Sequence, residues 1–544
     1  MAGPLTRTVA IIGGGVAGMT AAQELAERGF GVTVYEATTE LGGKARSFGK
    51  PGSEVDGRAL PGEHGYRFFA GFYRHLPHTL GRIPYDGATV LDNLVETSSV
   101  MYAFQGHDPM VLPARFPRAW HDVCDWFNVR ALPQMGLSWH EIFQFSKLLL
   151  VLFTSCEARR YGQWEHTSWW DFTNASEGHS QAYVSFLVKG LTQRSAATNA
   201  EGISARTHGQ ALLRLLLSAA KPGPGIDRVL NGPTSDVWLD PWRTHLDERC
   251  RVTIRTESPI EAIDCSGARI EALQVGGNRP QRVTADLYVA ALPVEVMCAL
   301  SSEPLRAAEP RLACLDSLQT AWMNGIQFYL SRDEPIVDGH VLYCDSELAI
   351  SSISQQQFWK GFPLRTVGDG SVGGVLSVDI CDWTTPITRD GLNLPARRLT
   401  SEQVAKEVWS EVNEHLRTLQ EPLQRAPAGF FLDPAVDKAL AGGKNEQQMF
   451  INTVGSWDHR PDAQTNIPNL FLAGDYVRTN TDLASMEAAN EAARRAVNAI
   501  LRAHAPRESR CRIWPMREPS ILAPWKALDR WRFARGLPHF LLGR

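Results

Sequence analysis

The segment Pro61-Gly62-Glu63-His64-Gly65-Tyr66-Arg67-Phe68-Phe69-Ala70-Gly71-Phe72-Tyr73 sets four chemically able side chains among apolar neighbours. Glu63, His64 and Tyr66 can each accept a proton, and Arg67 can stabilise negative charge that develops beside it. Alternation along a strand would put Glu63, Gly65 and Arg67 on one side and His64 and Tyr66 on the other. The four therefore cannot all face one ligand. A plainer reading pairs Glu63 or His64 with Arg67 to satisfy a buried strand.

A second set of residues binds rather than reacts. Gly13-Gly14-Gly15-Val16-Ala17-Gly18 has the spacing G-x-G-x-x-G, and Glu36 follows 18 residues after Gly18. Gly13 permits a tight turn, Gly15 lets a pyrophosphate approach the backbone, and Gly18 lets helix and strand pack closely. An acid at Glu36 accepts from a ribose hydroxyl and repels a 2′-phosphate, which disfavours NADP. Close by, Leu41-Gly42-Gly43-Lys44-Ala45-Arg46 offers two adjacent glycines and a guanidinium fork suited to phosphate. Far away, Asn469 to Asp475 reads as a buried strand ending in Gly474 and Asp475, and Met486-Glu487-Ala488 opens a helix faced with alanine.

These residues need particular elements to hold them. Thr8 to Ile12 is a short apolar run stopped by glycine, as a buried parallel strand is. Met19, Ala22, Leu25 and Ala26 recur at helical spacing, with Glu24, Glu27 and Arg28 expected outward. Val32 to Glu36 is the second strand. Its helix N-terminus would present free N–H groups and about half a positive charge to a phosphate. Gly368-Asp369-Gly370-Ser371-Val372-Gly373 matches the glycine pattern too, but a strand-like Gly374 to Ile380 follows it, so it reads as a loop between strands. No nicotinamide domain is evident.

Composition narrows the class. A chain of 544 residues with 44% hydrophobic and 21% charged residues is a globular protein of more than one core. Its net charge of −4 gives no reason to expect nucleic acid. Nine scattered cysteines without a C-x-x-C pair argue against a metal site and fit a reducing, cytoplasmic setting. Residues 1–8 lack the build of a signal peptide, and no apolar run is long enough to span a membrane. Sixteen tryptophans, several in the middle of the chain, are either aromatic filler or the lining of a large apolar cavity.

Together the two binding segments resemble the flavin amine oxidase and phytoene desaturase superfamily, and more closely its carotenoid desaturase-type members. The resemblance implies an α/β fold: a Rossmann-like FAD-binding domain with a discontinuous mixed α+β substrate domain. It implies FAD held by Gly13, Gly15, Ala17, Gly18 and Glu36 at the ADP end, and by Gly42, Gly43 and Arg46 in the second glycine motif. Asp475, after Gly474, resembles the acid near the ribityl chain and pyrophosphate. Met486 resembles the residue whose N–H faces the flavin pyrimidine, and Ile260, in the strand-like segment 252–263, the backbone contact to adenine. Asp286 to Pro293 resembles the strand closing the cofactor domain. The expected division is 1–75, 245–300 and 445–505 for the FAD domain and 76–244 and 301–444 for the substrate domain.

The same likeness places Glu63, His64, Tyr66 and Arg67 beside the flavin ring, with Arg67 tuning the reduced form. Two departures disfavour an amine substrate. Asn324 stands where amine oxidases carry a lysine, and Ser485 where they carry a cage aromatic. The expected reaction is dehydrogenation of a long apolar polyene, isoprenoid or other lipid, with oxygen or a quinone as electron acceptor. Redox-neutral double-bond isomerisation, amine oxidation and non-catalytic lipid carriage are the alternatives.

Residues 507–544 carry nine basic side chains against three acids, interleaved with Trp514, Trp525, Trp531 and Phe540. Such a tail suits an anionic membrane surface, giving a peripheral protein on the inner face. It equally suits a strap around its own domain.

Overall fold

A computed structural model of the chain describes residues 7–116, 136–190, 199–419, 423, 426–516 and 518–543. Cys124, Arg517 and Arg544 lie outside the described residues. Five short strands form one parallel sheet: β1 (Thr8–Ile12), β2 (Gly31–Tyr35), β3 (Thr253–Arg255), β4 (Leu287–Ala290) and β5 (Leu470–Leu472). Their order is β3-β2-β1-β4-β5, so strands hundreds of residues apart are neighbours. β4 and β5 are wholly buried and β1 nearly so, because helices cover the sheet, while the edge strand β3 (Thr-Ile-Arg) is largely exposed.

Helix α1 (Val16–Ala26) leaves β1 through the glycine turn, and all but its last residue is buried. The helix Met486–His504 packs on it, with Ala488, Ala492, Ala493 and Ala496 fully buried. Small side chains let the two backbones approach closely. This contact overturns one expectation. Glu24 is buried, because Arg494 of the late helix comes to 3.4 Å and Arg28 to 2.7 Å of its carboxylate, with Arg82 also paired to it. Burial raises the Glu24 carboxyl, but the three guanidinium groups outweigh it and hold it below the usual range.

The segment read as one strand from 252 to 263 is two. Thr253–Arg255 joins the parallel sheet, and Ile260–Ser266 starts a separate antiparallel sheet with Arg269–Val275 and Gln281–Val283. A positive φ at Glu257 marks the corner between them. Leu287–Ala290 lies inside the sheet, and Leu470–Leu472 forms its edge. Gly368–Gly373 is a turn leading into the strand Gly374–Ile380, with no helix after it.

The second large sheet has seven strands, in the order 110–113, 99–103, 339–343, 350–354, 374–380, 324–330 and 429–432. Its pairs are antiparallel except 339–343 with 99–103. The helix Ser401–His415 covers one face through Val404, Val408 and Val412. The core around the five-stranded sheet also takes in Leu76, Leu80, Val90, Val237, Trp238 and Trp242. A helical layer built around Phe145, Leu148, Trp164, Trp169 and Tyr183 forms a third core.

The C-terminal tail is a strap in this structure. Asp529, fully buried, accepts from the Cys156 backbone at 2.9 Å and from Arg159 Nε at 2.8 Å. Upstream, Cys511 exchanges two hydrogen bonds with the Asn498 side chain, and the Trp514 N–H donates to His75 Nε2 at 3.0 Å.

Candidate functional site

The early glycine motif is built as its spacing requires. Gly13 has φ +95°, and a Cβ there would lie 2.6 Å from the Ala291 carbonyl oxygen. A Cβ on Gly18 would stand 1.9 Å from the Gly13 oxygen. Gly15 differs: it has ordinary extended backbone, and its Cβ would meet only the Gly43 Cα, at 3.8 Å. Neither backbone strain nor packing explains a glycine there, whereas a close-lying ligand does. Ala17 is buried in the first turn of α1.

The second glycine motif is brought against the first. The Gly42 N–H donates to the Gly14 carbonyl at 2.9 Å, and Gly15 and Gly42 form a parallel bridge. Glu36, at the end of β2, accepts from the Gly14 N–H at 2.8 Å and from the Thr38 backbone and hydroxyl at 2.9 Å each. Arg46 donates to the Thr38 hydroxyl at 2.6 Å. The backbone of Ser258 donates to the Glu36 carbonyl, which sets the approach to Ile260 beside that acid. Ile260 itself is partly buried at the start of its strand.

From the other end of the chain, Gly474 and Asp475 follow β5. Asp475 lies deep in the protein yet retains accessible surface, as a side chain facing an internal crevice does. Burial raises its carboxyl, partly offset by Lys44 of the second glycine motif. Met486 starts the late helix, and Ser485 caps it by accepting from the Ala488 N–H at 3.2 Å.

The Glu63–Arg67 segment is held against the seven-stranded sheet. Tyr329 donates to the Pro61 carbonyl at 2.8 Å, the Glu63 N–H to Gln327 Oε1 at 2.9 Å, and the Gly325 N–H to the His64 carbonyl at 2.7 Å. The strand Asn324–Leu330 thereby holds it in place. Residues 63–68 are not themselves a strand, and Gly65, at φ +145°, breaks the alternation. As a result Glu63, Tyr66 and Arg67 line one narrow crevice, with Val229, Ile353 and Phe358 on its wall. His64 turns away, its Nδ1 3.7 Å from Asp433, and burial with Arg67 nearby holds it well below the usual imidazole range.

Neither Glu63 nor His64 pairs with Arg67. Glu63 Oε1 accepts from the Thr234 N–H at 2.7 Å and the Ser47 hydroxyl at 3.0 Å, so Oε2 is the oxygen available to the crevice. Arg67 donates through Nε to the Ala45 carbonyl at 3.2 Å, while its Nη2 is buried without a partner. Thr234 Oγ1 and Asp379 Oδ1 are buried and unsatisfied near it. Leaving such atoms bare costs about 1–3 kcal/mol each, more for a charged group. A ligand that offers an acceptor to Arg67 and a donor to Asp379 removes that cost, and a flavin nucleotide carries both kinds of group.

Asp379 is a residue that reading the sequence passed over, since it sits in the strand after the second glycine pattern. Burial pushes its carboxyl up to about 7, against the pull of Arg67 and His340. Behind Tyr66, His340 Nε2 lies 2.5 Å from Asp227, and the His340 and Tyr66 rings are 4.8 Å apart. A histidine 113 residues from its acid carries no local signal.

The two positions that depart from amine oxidases are both occupied with structural contacts. Asn324 accepts from Asn445 at 3.0 Å and donates to the Gln447 carbonyl at 3.4 Å. Ser485 is the helix cap.

A sequence profile described as flavin-containing amine oxidoreductase matches residues 16–501. The chain is 25% identical over 489 residues to a 15-cis-phytoene desaturase of Synechococcus elongatus, covering 88% of this chain and 93% of that protein. It is 24% identical over 517 residues to a zeta-carotene desaturase of Solanum lycopersicum, covering 90% and 80%. Among solved structures, cyclohexylamine oxidase from Brevibacterium oxydans superposes with a TM-score of 0.61 at 13% identity, covering 92% of this chain and 99% of that one. Putrescine oxidase bound to putrescine gives 0.58 at 13%, covering 91% and 98%. At such identities these two establish the fold alone.

Proposed function

We propose a function from one premise: the chain belongs to the flavin-containing amine oxidoreductase family. It dehydrogenates a long apolar substrate of polyene or isoprenoid type, with FAD as cofactor. FAD, when bound, would supply the two-electron acceptor for a new carbon–carbon double bond, with oxygen or a quinone as the class of final acceptor. The two glycine motifs, Glu36 and Arg46 hold its ADP half; Asp475 and the N-terminus of the 486–504 helix hold the remainder.

The observation that carries this reading is the crevice. It sets one carboxylate, Glu63, one phenol, Tyr66, and one guanidinium with an unpartnered N–H, Arg67, beside Val229, Leu230, Ile353 and Phe358 on a mixed polar and apolar wall. Apolar burial supplies substrate affinity at about 0.8 kcal/mol per CH₂. Glu63 Oε2 accepts the proton lost from the substrate, and Arg67 stabilises negative charge beside the ring. Burial and nearby Asp379 keep the Tyr66 hydroxyl protonated, so it orients rather than abstracts. The likeness to phytoene and zeta-carotene desaturases over most of the chain supports the substrate class.

The test is anaerobic mixing of the yellow protein with detergent-solubilised polyenes. Loss of the oxidised flavin absorbance with a more desaturated product is expected. Bleaching by amines, with none by any polyene, quinol or fatty acid, would reverse the assignment.

A further inference from the structure

Helix α1 ends beside the end of a second helical run, made of Ser235–Leu239, Asp240–Thr244 and His245–Arg249. The last turn of that run is a π turn: the Cys250 N–H donates to the His245 carbonyl, five residues back, at 3.0 Å. In an α-helix residues five apart point about 140° away from each other. The wider π turn stacks them instead, and Cys250 Sγ lies 3.5 Å from His245 Nε2. Glu27, the residue that closes α1, brings a carboxylate to the same place. The ligand atoms of Glu27, His245 and Cys250 all lie within 4.8 Å of one another, the one such group among the described residues. Glu27 is exposed and the other two are half-buried, so the group opens to solvent. His245 Nδ1 is buried without a partner, which leaves the thiol as the hydrogen-bond partner of the ring.

We propose that Glu27, His245 and Cys250 bind one divalent cation of zinc type, with water as the fourth ligand. Thiolate, imidazole and carboxylate are the donors zinc takes. Across a tetrahedral zinc ion sulfur and nitrogen stand about 3.6 Å apart, against the 3.5 Å observed here. Glu27 has to close in by at most about 1 Å. Its Oε1 accepts from Gln23 at 2.9 Å and its Oε2 from Arg82 at 2.6 Å, yet each oxygen keeps a second lone pair for a cation. Arg82 opposes positive charge at this place, but its other terminal nitrogen is paired with Glu24. Both helices end here, and their carbonyl ends add a negative potential that favours a cation. Binding releases the Sγ proton to solvent and leaves a metal thiolate. The ion clamps two helices whose opposite ends, roughly 15 Å away, carry the glycine motif and the Thr234 N–H that holds Glu63. It stands whatever reaction the crevice performs.

The experiment takes the full-length flavoprotein, stripped with EDTA and kept reduced with a phosphine, and titrates it with Co²⁺ alone and then with Zn²⁺. One cobalt per chain is expected, with the ligand-field bands of a tetrahedral thiolate site in the red, clear of the oxidised flavin, and their loss when zinc displaces it. Cys250→Ser, His245→Ala and Glu27→Gln should each weaken cobalt binding about tenfold or more, with flavin content unchanged. Cys265→Ser, at a half-buried cysteine outside the group, should bind as the parent does. Zinc should raise the thermal midpoint of the parent and not that of Cys250→Ser. Glu27 is exposed, so its variant keeps the test decisive should a helix-end variant fold poorly. Failure of the parent to bind cobalt, or equal binding by the three variants, overturns the proposal and leaves a thiol–imidazole hydrogen bond as the whole of the contact.

Discussion

Glu487 Oε1 lies 2.7 Å from the backbone nitrogens of both Arg74 and His75 and 2.8 Å from His75 Nδ1, while its Oε2 takes the Leu76 N–H at 2.8 Å. One carboxylate from the last long helix thus caps the helix His75–Leu80, more than four hundred residues earlier in the chain. On its other side His75 accepts from the Trp514 N–H. Early segment, late helix and tail are joined at this point, next to Met486.

Replacing Glu487 with alanine strands three backbone donors and the His75 ring in a buried site. The expected loss is about 3 kcal/mol or more, read by urea denaturation. Released flavin in the same samples should rise, because the helix start that carries Met486 loses its anchor.

Gly15 and Gly18 separate folding from cofactor binding. Gly18→Ala puts a methyl group 1.9 Å from a backbone oxygen and should yield little folded protein. Gly15→Ala has room and an allowed backbone. Its apoprotein should fold with an unchanged melting temperature, yet retain FAD at least about tenfold more weakly, a difference of about 1.4 kcal/mol. The ratio of flavin to protein absorbance after dialysis measures this, and full retention would argue against a phosphate beside Gly15.

Glu63→Gln keeps an oxygen for Thr234 and Ser47 but no longer accepts a proton. Turnover should fall by about 10²–10⁴, with flavin content and stability close to the parent. An unchanged rate of anaerobic bleaching would remove Glu63 from the chemistry.

Asp379 makes stability depend on pH. Its carboxyl is raised by burial from 3.8 to about 7, so between those values the unfolded chain releases a proton that the folded one keeps. Its stabilising effect is complete below pH about 4 and is lost progressively as pH rises to about 7. Asp379→Asn should abolish that slope. The variant should match the parent at the acid end and exceed it by a few kcal/mol above neutrality, as denaturation at a series of pH values will reveal. Equal pH profiles would mean the carboxyl is ionised throughout.

The backbone geometry of the glycine turn was legible without coordinates. A tight turn and a close helix–strand contact each demand glycine at one spacing, so Gly13 and Gly18 carried their structural meaning in sequence alone. The inner parallel strands were readable too, since a strand covered on both faces is apolar, as Leu287–Ala290 and Leu470–Leu472 are. The corner at Glu257 was not, because a single left-handed residue divides an otherwise continuous β-like run.

Side-chain direction and long-range pairing were decided by the tertiary structure. Gly65 twists the 63–68 segment, so Glu63, Tyr66 and Arg67 meet in one crevice and His64 leaves it; strand alternation alone predicts a different grouping. Glu24, outward on a lone helix, is buried because Arg494 arrives from the far end. Asp379 gains its chemistry only from what is packed around it. Local sequence specifies what a backbone can do within a few residues, while burial, charge and exposure are properties of neighbours, and in this chain those neighbours lie hundreds of residues away.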